Sequence, residues 1–378
     1  MSSSKKWIWE ETDYPNFIYK SEIINPLVQK ITLHQGYLIA FTSFLNEENL
    51  KVRQFEMLSD EAINTSAIEG ESLNRDSVRA SVGKRLGLFN FNTKKTDLKT
   101  EGLIDILIDA NTNYNQDLTL GRIFGWHNAL FPTGYSGFSK INVAEFRGSE
   151  TMEVVSGAIG QEIVRYQAPS HEMLESEVEA FLKWFNKEEN SLVKAAISHL
   201  WFVVIHPLDD GNGRISRAIT DLVLSKIENS KVSKLYSMST AINEDRKAYY
   251  EVLDATTGFK RKKDSLLDIT QWIEWFLKTL LKSLEDAKKS LQYVVDKTAF
   301  WDKHKESELN ARQVKVINKI LDKGVENYEG GLNKRKYVSI AKTSTTTATR
   351  DLQELIEKGC IKQKEGTSGR ATSYEVTI

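Results

Sequence analysis

Twelve consecutive residues carry most of the recognisable chemistry of this chain: His206-Pro207-Leu208-Asp209-Asp210-Gly211-Asn212-Gly213-Arg214-Ile215-Ser216-Arg217. His206 opens the run, and histidine is the side chain best suited to act as a base near neutral pH. Asp210 is a hard oxygen ligand of the kind that Mg²⁺ takes together with phosphate oxygens. Gly211 and Gly213 permit a tight turn and a close approach of ligand to backbone. A helix beginning there offers unpaired N–H groups and a positive dipole end, an anion cradle most naturally filled by phosphate. Arg214 and Arg217 are three apart, so they share one helix face and can grip further phosphate oxygens. A lone Gly-x-Gly, a lone histidine or an Asp before Gly is a weak signal, more often a turn or a packed side chain. Their joint occurrence is far more specific. The run lacks the Gly-Lys-Ser/Thr ending of a P-loop, which excludes a kinase or GTPase reading.

These residues need rigid supports on both sides. An apolar helix over about 190–206 and an amphipathic one over 214–229 flank the run. Upstream, apolar residues recur at helical spacing through 21–50. A second helix runs from about 49 to Glu69 and stops at Gly70, a natural residue for the position after a helix end. Another spans Ser72 to Gly87, with Asn74 as N-cap. Residues 97–131 read as helical. Val154, Ile159, Ile163, Val164 and Tyr166, interleaved with Gly157 and Gly160 and closed by Pro169, predict a hairpin within 134–170. Helices follow at about 172–186, 245–256 and 266–297, and 297–310 is the best domain boundary. Beyond it come helical patterns at 311–323, 337–342 and 346–358, the last ending at Gly359. Two β-type runs, 360–364 and 372–377, are joined by Gly-Thr-Ser-Gly-Arg. Helix, turn, helix and a two-stranded wing describe a winged helix–turn–helix. The five aromatics of residues 1–20 read as an extended lead-in.

Composition limits the alternatives. The chain has 378 residues, 21 Gly and 5 Pro, against roughly 45 Gly plus Pro at average usage, so a mainly helical protein is expected. At 40% hydrophobic and 27% charged residues, collagen-like, disordered and disulfide-stapled classes are excluded. The longest strongly apolar stretch, Leu200–Ile205, is far too short for a membrane span, and the N-terminus lacks an apolar signal core. One cysteine, Cys360, cannot form an intrachain disulfide. A cytoplasmic protein without a membrane partner is expected. Residues 301–378 hold 15 Lys/Arg against 11 Asp/Glu, which leaves −5 on the other 300 residues of a chain whose total is −1. The basic segment invites a nucleic-acid partner.

The central run resembles the signature of the Fic family, His-Pro-Phe-x-Asp/Glu-Gly-Asn-Gly/Lys-Arg-x-x-Arg, and departs from it only at Leu208. That position is apolar and expected to pack inward. The resemblance implies a mainly α protein: a Fic-type helical core with a β-hairpin flap, plus a C-terminal winged helix–turn–helix of α+β type. It also implies transfer of AMP from ATP, with Mg²⁺, to a Ser, Thr or Tyr hydroxyl of a target protein. By position, His206 is the general base, and Asp210 holds Mg²⁺ on the phosphates. Asn212 and the 211–213 backbone orient the α-phosphate, and Arg214 and Arg217 hold the distal phosphates. Asn243-Glu244-Asp245-Arg246-Lys247-Ala248-Tyr249-Tyr250-Glu251 resembles the family's helix near the adenine, where Tyr249 or Tyr250 contacts the nucleotide or packs in the core. The hairpin at 153–168 takes the place of the family's flap, which docks the target by strand addition.

Thr65-Ser66-Ala67-Ile68-Glu69-Gly70 matches the family's inhibitory pattern Ser/Thr-x-x-x-Glu-Gly/Asn. The resemblance implies that Glu69 reaches Arg217 and occupies the γ-phosphate position. Lying N-terminal to the core, it corresponds to the class II arrangement, and the lead-in looks like an uncharacterised domain that often precedes such cores. The expected domains are 1–95, with the inhibitory helix at about 57–70, the catalytic core at 96–298, and the winged helix at 299–378. Lys334, Arg335, Lys336, Lys342 and Arg350 supply phosphate contacts if 311–378 binds DNA. Winged helices also serve as protein-interaction modules, and Asp351, Glu354 and Glu357 weaken the docking of 346–358 in a groove. An alternative from another class is a DNA-binding regulator whose core senses nucleotide. Use of another nucleotide, AMP removal, self-modification and a homodimer all stay open at this stage.

Overall fold

The computed structural model describes residues 7–42, 45, 47–88, 96–156, 163–229, 235–258, 260–261, 267–325 and 327–378. Its element order begins with α1 (Ser21–Thr42), α2 (Glu47–Ile68), α3 (Arg75–Arg85), α4 (Leu98–Thr112) and α5 (Leu120–Leu130). Two hairpins follow, β1 (Tyr135–Ser136) with β2 (Ser139–Lys140), and β3 (Glu153–Ser156) with β4 (Ile163–Gln167). Then come α6 (Leu174–Lys187), α7 (Leu192–Ile205), α8 (Asn212–Ile227), α9 (Met238–Glu244), α10 (Arg246–Thr257) and α11 (Thr270–Lys303). The chain ends with α12 (Ala311–Leu321), α13 (Lys334–Ala341), α14 (Thr345–Glu357), β5 (Ile361–Gln363) and β6 (Tyr374–Val376). It divides into two compact units, Met1–Glu285 and Asp286–Ile378. Among the described residues no helix is long and apolar enough to cross a membrane.

In the first unit α7 and α8 form the central pair, and α8 also meets α2, α4 and α5. Nearly every face of α7 is apolar, which suits a helix surrounded by others; Leu200, Phe202, Val204 and Ile205 are fully buried. The charged face of α8 points back into the unit, so that Arg214 and Arg217 are also buried. β3 and β4 pair antiparallel, Glu153 opposite Gln167, with a bulge between Val154 and Val155. Gly157, Ile159 and Gly160, expected at the turn of this hairpin, lie outside the described residues, as do residues 1–6 of the N-terminal run. The lead-in, expected to be extended, instead folds into a 3₁₀ turn at Ile8–Glu10 and further turns through residue 15, where the N–H groups of Tyr14 and Asn16 bond the carbonyls of Glu11 and Asp13. It packs through Trp7 edge-on against Tyr166 and through a Trp9 indole bond of 2.8 Å to the Gln167 carbonyl.

Several elements differ from the expectations. Residues 97–131 form two helices, because Asp97 and Thr119 each cap a separate N-terminus and polar residues 113–117 break the run between them. α9 was not expected; Ser237 starts it by accepting from the Thr240 N–H. α11 continues to Lys303, through the start of the expected boundary at 297–310, and the division between the units falls inside it. No Gly or Pro stands between 297 and 303 to stop it.

In the second unit the three helices and the hairpin close around Phe300, Ile317, Tyr337, Leu352, Leu355 and Ile361. Ile361 pairs with Val376 across the two antiparallel strands. Asp351 is fully buried, held by Arg312 at 2.8 Å and by the Tyr337 hydroxyl at 3.0 Å. It therefore does not face outward on α14, contrary to its expected effect on groove docking.

Candidate active site

The loop between α7 and α8 owes its shape to a few local constraints. His206 ends α7 in the left-handed region, φ 51°, with its N–H still bonded to the Phe202 carbonyl. Such a φ is uncommon outside glycine and is held here by neighbours. The strongest is Arg147, fully buried, whose Nε donates to the His206 carbonyl at 2.9 Å and whose Nη2 donates to the Pro169 carbonyl. Its backbone N–H bonds the Pro207 carbonyl at 2.9 Å. Leu208 packs inward with no exposure. The Asn212 side chain bonds both the N–H of Leu208, at 3.1 Å, and its carbonyl, at 2.7 Å. Asp209 ties the turn to the preceding segment, accepting from the N–H groups of Asn142, at 2.7 Å, and Gly148, at 3.1 Å. Gly211 has φ +83°, and a Cβ there would press on Leu130 and Phe131.

α8 begins at Asn212 without a side-chain cap, and Ile215 makes the first bond back, to Gly211 at 2.9 Å. The amides of Asn212, Gly213 and Arg214 thus precede the first intrahelical bond, the usual condition of an anion cradle. The carboxylate of Glu69 lies on this cradle: a Cβ on Gly213 would collide with Glu69 Oε1.

His206 is half-buried, and its Nδ1 is 3.2 Å from the Val203 carbonyl. A carbonyl only accepts, so Nδ1 carries the proton and Nε2 keeps its lone pair. Burial pushes the imidazole pKa below its ordinary value, the Val203 carbonyl works the other way, and the Arg147 cation adds to the lowering. The side chain is therefore neutral at pH 7, the form a base requires. Asp210 bonds the Ser136 hydroxyl of β1, and it is 3.5 Å from Arg214 Nη2.

Each arginine of α8 meets an acid from the end of α2. Arg217 Nη2 is 2.8 Å from Glu69 Oε1. Thr65, one turn earlier, takes Arg217 Nε on its hydroxyl at 2.7 Å and Nη2 on its carbonyl at 2.8 Å. Burial works against the charge of Arg217, but Glu69 together with the nearby Tyr249 and Tyr250 outweighs it, and the pKa stands above the ordinary value. Arg214 Nη1 bonds Glu71 Oε2 at 2.7 Å, and its guanidinium lies over the Phe131 ring. Arg217 Nη1 and Arg214 Nε are buried and make no hydrogen bond among the described residues.

The two tyrosines separate. Tyr249 is in the core, 2% exposed, its hydroxyl 3.0 Å from His199 Nε2 and its ring against Trp275. It is not available to a nucleotide. Tyr250 is 39% exposed and donates its hydroxyl to the Ile68 carbonyl at the end of α2, at 3.0 Å. The sequence reading singled out neither Arg147 nor Glu71. Glu71 stands next to Gly70 and was open to notice as the second acid of Glu-Gly-Glu. No local pattern marks Arg147, whose partners lie 59 and 22 residues away.

Comparison with known proteins gives this geometry a context. Residues 117–224 match the model of the Fic/DOC family, and residues 7–88 match a domain of unknown function, DUF4172. Over 90 residues the chain is 32% identical to the protein adenylyltransferase Fic of Nematostella vectensis. That match covers 23% of this chain and 19% of the relative, so the chain spans about a fifth of that protein's length. The fold is similar to that of a Fic family protein from Desulfovibrio desulfuricans G20. The TM-score is 0.54 at 20% identity, covering 96% of this chain and 98% of that one. A single-substitution variant of a Fic-1 fragment from C. elegans gives a TM-score of 0.50 at 15% identity, covering 72% of this chain and 74% of that one. The chain is thus a mainly helical protein whose residues 117–224, which include α7 and most of α8, match the Fic/DOC family model. That family typically transfers nucleotidyl groups.

Proposed function

We propose that this chain is a protein adenylyltransferase that moves AMP from ATP to a hydroxyl of a target protein and is held in check by Glu69. The observation that carries the reading is the convergence, at one helix start, of a neutral histidine, three leading amides and two buried arginines with unfilled donors. The amides of 212–214 receive the α-phosphate, and Arg214 and Arg217 receive the distal phosphates. Asn212 serves by holding the turn that aims those amides. His206 Nε2 takes the proton of the target hydroxyl. The oxygen then forms a bond to the α-phosphorus, and the bond to pyrophosphate breaks. Donors fixed where charge develops stabilise the transition state without reorganisation. Asp210 fits Mg²⁺, since that ion typically takes one or two carboxylates and completes its shell with phosphates and water. When bound, the ion supplies charge neutralisation on the phosphates. The 153–168 hairpin, with Val154, Val155 and Ile163 exposed, offers the target a strand edge.

Labelled ATP with Mg²⁺, the purified chain and lysate proteins provide the test, read by mass spectrometry for AMP on hydroxyls, including the chain's own. Incorporation is expected, and His206→Ala should reduce it about 10²–10⁴-fold while ATP binding is retained. A near-normal rate in that variant refutes the assignment.

A second reading applies to 299–378, as a winged helix that contacts duplex DNA. The exposed face of α14 bears on it: Thr345, Thr346, Thr349, Arg350 and Gln353 line an open groove and Asp351 is turned inside, while Glu354 and Glu357 line the same groove and weaken docking there as expected. A gel-shift titration should show weak binding that falls with salt and weakens further in Arg350→Glu. No binding at low ionic strength reassigns the unit to protein interaction.

A further inference from the structure

The end of α2 carries two acids on either side of Gly70, and the helix cap aims both. Gly70 has φ +81°, its N–H bonds the Ala67 carbonyl at 3.0 Å, and the Glu71 N–H bonds the Ser66 carbonyl at 3.0 Å. This pair of bonds is a Schellman cap, which fixes the residue before the glycine and the residue after it. Glu69 meets Arg217 and Glu71 meets Arg214. The two arginines are three apart on α8, so one rigid cap covers both.

We propose that Glu71 is a second inhibitory carboxylate. It occupies the place of a distal phosphate on Arg214, so that the cap plugs both phosphate-binding arginines of the site. This rests on the reading of the site given under Proposed function. Arg214 has a side chain only 2% exposed, and besides Glu71 its acidic neighbour is Asp210 at 3.5 Å. A polyphosphate must therefore compete with Glu71 for the guanidinium. Glu71 has somewhere to go. Its other oxygen is 2.7 Å from Lys99 Nζ on α4, and its side chain is 25% exposed. On leaving Arg214 it stays neutralised by Lys99 at the edge of the site. Arg214 keeps its seat over Phe131 for the incoming anion, with Asp210 at 3.5 Å as its remaining acidic neighbour. Removing Glu69 alone then leaves one of the two arginines occupied, and relief in that variant is partial.

The test is calorimetric titration of the full chain with ADP and with AMP, neither of which supports transfer. Glu69→Gln is compared with Glu69→Gln/Glu71→Gln and with Glu69→Gln/Glu71→Ala, each checked for an unchanged melting profile. Loss of one charge-assisted competitor should tighten ADP about tenfold. AMP has no distal phosphate, so its affinity should stay within about twofold. A Glu71 that merely orients Arg214 predicts weaker ADP binding in both double variants, and that result overturns the proposal. So does an equal gain for ADP and AMP. If Glu69→Gln binds ADP and the second substitution adds nothing, Glu71 loses its role and the proposed function stands. If no variant binds ADP, both fall.

Discussion

Replacing Glu69 by Gln or Gly separates the two ways in which this side chain can obstruct the site. The carboxylate does two things in the structure: it pairs with Arg217 at 2.8 Å, and it lies on Gly213 at the start of α8. The first is an effect of charge, the second of volume. Gln keeps the volume and removes the charge; Gly removes both. The pair sits where Arg217 is 3% exposed and Glu69 29% exposed, so solvent screens it little. A hydrogen bond to a charged group in such a place is worth about 1.5–3 kcal/mol net, and at about 1.4 kcal/mol per decade that is roughly 10- to 150-fold. Arg217 does not drift when Glu69 goes, because Thr65 still holds its Nε and Nη2. The freed guanidinium is therefore already in position for a phosphate. Initial rates of AMP incorporation should rise by that factor in Glu69→Gln and somewhat further in Glu69→Gly. Nucleotide affinity should change less than the rate, since the obstruction acts on the alignment of the α-phosphorus. A Gln variant at the wild-type rate beside a fast Gly variant shifts the obstruction from charge to volume. Wild-type rates in both, with the fold intact, would falsify the inhibitory role.

Two further outcomes follow from the same geometry. In the proposed mechanism His206 must be neutral to act, and its pKa is pushed below the ordinary 6.5 by burial. The pH–rate profile of Glu69→Gln should level off at high pH and fall on the acid side, where the imidazole gains a proton, with that limb centred below pH 6.5; an acid limb centred above the ordinary histidine value contradicts this. Tyr250→Phe removes the hydroxyl bonded to the Ile68 carbonyl, a contact worth about 0.5–1.5 kcal/mol. It should loosen the end of α2 and raise transfer about two- to tenfold, whereas an unchanged rate assigns the hydroxyl no part in inhibition.

The central run was legible in the sequence because its chemistry is contiguous: the turn, the helix start and both arginines fall within twelve residues. Glu69 was legible for a similar reason, since a helix stop at Gly70 is a local event. What escaped depends on contacts far apart in the chain. Arg147 gathers three carbonyls from two segments, 169 and 206–207, and only the folded chain brings them together. Tyr249 and Tyr250 are adjacent on α10, so they point about 100° apart. Which of them is buried depends on His199, Trp272 and Trp275, contributed by α7 and α11. Asp351 looked like a surface acid on an amphipathic helix, and its burial is explained by Arg312 and Tyr337 from α12 and α13. Helix ends behaved alike: where a cap residue stands in the sequence, as Asn74 does for α3, the boundary could be read. Where no breaker stands, as after residue 297, α11 ran on.

The contacts that would hold the site closed are concentrated in the last turn of α2 and its cap. Thr65, Ile68, Glu69 and Glu71 each bond α8 or α10, and all lie within seven residues around one left-handed glycine. A helix terminus is the part of a helix that opens at least cost, because its last carbonyls depend on the cap. Opening this turn breaks the contacts to Arg217, Arg214 and Tyr250 together, while α7, α8 and the His206 turn keep their own bonds. On the proposed function, inhibition is lifted by a local event that leaves α7, α8 and the His206 turn in place. Conversely, on the same reading, anything that strengthens the cap strengthens the contacts to both arginines at once. The stability of the last turn of α2, more than the strength of any one ion pair, is the quantity on which the closed state depends.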